Sequence, residues 1–90
     1  MPRYIIERDI PGAGNMSRDD LQGASAKSCS TISCMAPGLT WLHSYVTDDR
    51  IYCVYDAPSK DAIREHAEKS GFPANRISDV KNMIHPTWGE

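Results

Sequence analysis

No apolar run in this chain approaches the roughly 18 residues that a membrane-spanning helix needs, so a spanning segment is not expected. Charge of one sign is also lacking. Ten Lys and Arg stand against twelve Asp and Glu, mixed along the chain, for a formal net charge of −2. Nucleic-acid binding calls for a basic face and a polybasic anchor for a basic run, and the sequence offers neither. It lacks the even cysteine set of a small disulfide scaffold: the three cysteines are Cys29, Cys34 and Cys53. The first two are five apart, not at the two-residue gap of a redox or zinc knuckle, so three reduced thiols are expected. The opening Met1-Pro2-Arg3-Tyr4-Ile5-Ile6-Glu7-Arg8-Asp9 is broken by charge and does not read as a signal peptide, which makes the cytoplasm the default. Internal repeats, low-complexity stretches and interdomain linkers are missing too. Ninety residues are therefore expected to form one domain over 1–90. A chain of this length buries about 60–65% of its unfolded surface, so its core is thin and an interface between copies would help it.

Six elements are present in the pattern. Residues 3–9 begin with Tyr4, Ile5 and Ile6 and then alternate with charge, as a strand does. Pro11-Gly12-Ala13-Gly14-Asn15 is a dense turn signal. Ser17-Arg18-Asp19-Asp20 is a capping box, with Met16 and Leu21 placed as a staple around it. It predicts a helix from Arg18 to Ser33 whose inward stripe is Leu21, Ala24, Ser25, Ser28, Ile32 and Met35, small and weakly apolar. Gly23 and the serines lower its intrinsic stability, so this helix depends on packing. Residues 39–47 and 50–57 are rich in strand formers around Asp48-Asp49 and predict a hairpin. Ser59 is an N-cap for a helix over 60–70, closed by Gly71 and Pro73. Its inner face is Ala62, Ile63, His66, Ala67 and Ser70. Residues 76–85 alternate around Ile77, Val80, Met83 and Ile84 and predict a fourth strand.

The order strand–helix–strand–strand–helix–strand is the split βαβ, an α+β ferredoxin-like βαββαβ fold. It has a four-stranded antiparallel sheet with two helices on one face. Those helices leave the other face uncovered. Simple alternation along the second strand puts Trp41, His43 and Tyr45 on that open face and Leu42, Ser44 and Val46 under the helices. Two large aromatics in water are costly, so a homodimer through the open face, with Trp41 and Tyr45 in its interface, is expected.

Recognisable catalytic motifs are lacking. There is no nucleophile elbow, P-loop, GxGxxG, HExxH or EF-hand pattern, and Gly12-Ala13-Gly14 reads as a plain turn. What remains is His43, His66, His85, Cys53, Glu7 and the tyrosines. Imidazole, thiolate and carboxylate are donors that nickel, zinc and copper accept. His66 looks inward from the second helix, and Cys53 and Glu7 lie mid-strand on sheet neighbours, so a fold could gather them. His43 projects with Trp41 and Tyr45.

Trp41-Leu42-His43-Ser44-Tyr45-Val46, Tyr52-Cys53-Val54-Tyr55-Asp56-Ala57-Pro58-Ser59, Ala62-Ile63-Arg64-Glu65-His66-Ala67 and Gly71-Phe72-Pro73-Ala74 carry a resemblance over essentially the whole chain. Together they resemble the small bacterial nickel-binding, ferredoxin-like proteins. The resemblance implies a βαββαβ homodimer that binds nickel or a similar divalent ion, without an established reaction. Glu7, Tyr45, Cys53 and His66 match the family's recurrent pattern, whereas His43 stands where arginine also fits. Cys53, His66 and Glu7 are thus the expected metal ligands, with His43 as an alternative. Two other functions are open: a small dimeric α+β barrel enzyme or small-molecule binder using His66 with Cys53 or Glu7, and an interaction module without a site.

Overall fold

The computed structural model describes residues 1–33 and 38–89, apart from the side chain of Trp88. Cys34 and Met35 lie outside the described residues. The elements are β1 (Arg3–Asp9), α1 (Arg18–Ser33), β2 (Thr40–Val46), β3 (Arg50–Asp56), α2 (Lys60–Ser70) and β4 (Arg76–Asp79). The sheet order is β2-β3-β1-β4, antiparallel throughout, as the ferredoxin-like reading requires.

Local signals act as their chemistry dictates. The amide of Asp20 donates to Ser17 Oγ at 3.1 Å and the amide of Ser17 donates to Asp20 Oδ2 at 3.3 Å, a reciprocal capping box that satisfies two orphan donors. Ser59 Oγ accepts from the amide of Ala62, and Gly71 ends α2 in the left-handed region at φ 78°. Ile63, His66, Ala67 and Ser70 form the buried face of α2. The core joins Ile63 to Tyr4, Ile6, Leu39, Cys53, Tyr55 and Ala57.

Two expectations are corrected. The fourth strand stops at Asp79 instead of running to residue 85. Tyr4 pairs with Asp79 and the Val80 amide reaches the Arg3 carbonyl, so β4 ends where β1, its neighbour in the sheet, begins. Met83 and Ile84 are consequently exposed. The second correction concerns Trp41. The β2–β3 register slips between Trp41 and His43, pairing Trp41 with Tyr55 and His43 with Val54. The extra residue of this bulge breaks the two-residue period and turns Trp41 to the helix side. There its indole N–H donates to Ser44 Oγ at 2.9 Å, and the ring packs on the core. His43 and Tyr45 stay on the open face.

The glycine turn after β1 is pinned rather than loose. The amide of Ile10 donates to the Asp49 carbonyl and that of Gly14 to the Asp48 carbonyl, docking the turn on the β2–β3 hairpin. A Cβ at Gly14 would come within 2.9 Å of the Asp48 Cα, a backbone atom that cannot move aside alone. Gly14→Ala should therefore cost about 1–3 kcal/mol in urea unfolding. An unchanged midpoint would show that the hairpin tip moves freely.

Candidate functional site

The alternation of β1 sends Tyr4, Ile6 and Arg8 under the helices, beside Ile51, Cys53 and Tyr55 of β3. Arg8 is only 3% exposed. Its Nε donates to Cys53 Sγ at 3.3 Å and its Nη1 to the Pro73 carbonyl at 2.7 Å, and the guanidinium lies 6.0 Å from the centre of the Tyr55 ring. Among the described residues no carboxylate pairs with it.

Next to this cation runs a buried polar chain. Tyr55 Oη and Ser28 Oγ are 3.1 Å apart, and Ser28 Oγ is 3.1 Å from His66 Nε2. His66 has no exposed surface, and its Nδ1 lacks a hydrogen-bond partner among the described residues. Burial, reinforced by the positive charge of Arg8, holds the His66 pKa below the usual imidazole value, so the ring is neutral near pH 7. Burial likewise raises the Tyr55 phenol above its ordinary value and keeps it protonated.

Arg8, Ser28, Cys53 and Tyr55, but not His66, border a cavity of about 400 Å³ between α1 and the sheet, lined also by apolar side chains that include Leu21, Trp41 and Phe72. The small stripe of α1 is the reason: Ala24, Ser25 and Ser28 face the sheet where longer side chains would have filled the space.

The expected metal donors divide between the two faces of the sheet. Cys53 and His66 look into the helix side, but Cys53 takes Arg8 and His66 takes Ser28. Glu7 lies on the opposite side of β1, where its carboxylate stands 3.3 Å from Arg50 Nη1 and 3.7 Å from Arg76 Nε. His43 shares that open face and lies edge-on to Tyr45, with ring centres 5.2 Å apart. In register, Glu7 pairs with Tyr52 and Tyr52 with Tyr45, so β3 separates Glu7 from the strand of His43. Among the described residues no three His, Cys, Asp or Glu side chains converge. A dication between Cys53 and His66 would meet the Arg8 guanidinium with the Cys53 thiolate to offset it and without Glu7, which is on the other face, so the interior offers two of the three expected donors. His85 is exposed, its Nδ1 3.1 Å from Thr87 Oγ1. Cys29 is exposed on α1. No helix among the described residues is long and apolar enough to cross a membrane.

Arg8 escapes a reading that looks for donors, because arginine in an alternating strand reads as its solvent side; Ser28 is expected on the inward stripe of α1 and Tyr55 among the tyrosines, but their link to His66 is not. The period-two phase set by Tyr4 and Ile6 was the available signal, since it points Arg8 inward.

A crystal structure of SCO4226 from Streptomyces coelicolor A3(2) superimposes with a TM-score of 0.77 over 91% of this chain and 99% of that one, at 18% identity. That likeness establishes the shared fold. No curated protein shows significant similarity to the chain. Residues 4–80 match the family described as nickel responsive protein SCO4226-like. The chain therefore belongs to the SCO4226-like family of nickel responsive proteins.

Proposed function

We propose that this protein is a cytoplasmic binder of a nickel-type divalent ion, closed as a homodimer through its open sheet face, with His43 and Glu7 as donors on that face. The observation that carries the reading is their placement. Both stand on the uncovered side of the sheet, on strands that flank β3 and run about 10 Å apart, with His43 two residues farther along in register. A site using them is incomplete in one copy and needs a second. Tyr45 is 62% exposed, and Ile5 is exposed on the same face across β3, in the row of Val54 and His43, apolar surface such an interface requires. Tyr45 thus remains an interface residue, whereas Trp41 belongs to the core. Imidazole and carboxylate are donors nickel accepts, as zinc and copper do. Family membership supports nickel as the first ion to try.

Calorimetric titration of the apo-protein with nickel chloride should give saturable binding that weakens as pH falls, because protons compete for the imidazole. His43→Ala should weaken it at least about tenfold, and Cys53→Ala should not. A protein that stays monomeric with excess metal, or gives no saturable heat with nickel, zinc or copper, would sink the reading.

A further inference from the structure

The cavity beside α1 contains a charge that nothing in the described structure balances. Arg8 is 3% exposed, and its hydrogen bonds run to a cysteine sulfur and a main-chain carbonyl beside the Tyr55 ring, with no carboxylate among the described residues. Burying a cation without an anion is expensive, and such groups are ordinarily paired. Arg8 also lines a cavity of about 400 Å³, within the range of small-molecule sites. Around it the polar side chains are few, Ser28 and Cys53 among them, while Leu21, Val46, Ile51 and Phe72 make much of the rest apolar.

We propose that this cavity binds an organic monocarboxylate with an apolar tail, its carboxylate on the Arg8 guanidinium and its tail against α1, β2 and Phe72. The chemistry selects that class. The planar guanidinium presents paired N–H groups that match a carboxylate. One buried positive charge takes one negative charge; a phosphate dianion would bring a second that these apolar walls cannot solvate. A neutral apolar ligand would fill the space but leave Arg8 unpaired, and a cation would be repelled. The bonded Ser28–Tyr55 hydroxyl pair lies at the same end as Arg8; one of its two protons is held between them, and the other is free for the second carboxylate oxygen when His66 Nε2–H donates to Ser28.

The site is on the helix side of the sheet, away from His43 and Glu7, and does not depend on metal binding. It is tested on metal-free protein in EDTA, with decanoate as the probe and decanol as its uncharged counterpart. Calorimetry should give one saturable decanoate site per chain, with decanol at least tenfold weaker. Arg8→Gln should reduce decanoate affinity at least tenfold and leave decanol unchanged. Ala24→Trp keeps Arg8 and fills the cavity from α1, so it should abolish decanoate binding even if Arg8→Gln fails to fold. The proposal is overturned by any of three results: no saturable decanoate binding to the parent protein, equal affinity for decanoate and decanol, or undiminished decanoate binding in Ala24→Trp.

Discussion

Ile63→Ala will remove about 3 kcal/mol of folding stability, whereas Ile84→Ala will change it by less than about 0.5 kcal/mol. The two substitutions delete the same atoms. Ile63 has no exposed surface and sits in the cluster with Tyr4, Ile6 and Tyr55, so truncation loses the transfer free energy and leaves a void beneath α2. Ile84 is 83% exposed, beyond the point where the sheet ends. In a domain whose total stability is of order 5–10 kcal/mol, losing Ile63 consumes a large share, and the urea midpoint will move accordingly. Comparable losses at the two positions would mean that the segment after β4 packs in solution, and that the correction to the fourth strand is wrong.

Stability will fall as pH drops from about 7.5 to 5, and His66→Gln will flatten that dependence. His66 is held below its ordinary pKa of 6.5 first by burial and then by the Arg8 charge. The unfolded chain therefore takes up a proton near 6.5 that the folded chain refuses. The stabilising contribution is full above that value and is lost as pH falls from there toward the folded pKa. The slope has a ceiling of about 1.4 kcal/mol per pH unit for one proton. Asp56 acts lower on the scale. Its carboxyl is held below 3.8 chiefly by the hydrogen bond from Arg3, so its contribution is present above 3.8 and disappears only as pH falls below that value. The interval from 7.5 to 5 therefore reports on His66 rather than on Asp56. Urea titrations at several pH values decide the matter. An equal slope in the parent and His66→Gln, or greater stability at pH 5, would show that another group carries the dependence or that His66 is solvated.

The element order was legible in the residues, because caps, turns and hydrophobic period are local. Ser17 with Asp20, Ser59 and Gly71 set the helix ends within their own turns, and the hairpin followed from two β-rich runs around Asp48-Asp49. Given six elements in that order, the sheet order follows from connection rules. Where the reading failed, the deciding partner was distant. The end of β4 is fixed by where β1 begins, more than seventy residues earlier. The side on which Trp41 falls is fixed by a register slip against β3, which alternation along β2 alone does not reveal.

The candidate site divides the same way. That Cys53 and His66 face inward follows from strand and helix period. The period of β1 likewise sets Glu7 opposite Tyr4, Ile6 and Arg8, whereas what each donor touches depends on packing. The sequence by itself determined the fold class, the uncovered sheet face and the thin core, since these follow from spacing within short segments. Only the tertiary structure decided that Trp41 joins the core, that Arg8 takes Cys53 and Arg50 takes Glu7, and that a cavity opens beside Arg8. The physical reason is that burial and charge balance are properties of pairs. Pairs such as Arg8–Cys53 and Ser28–His66 are separated by 45 and 38 residues, and the fold alone brings them together.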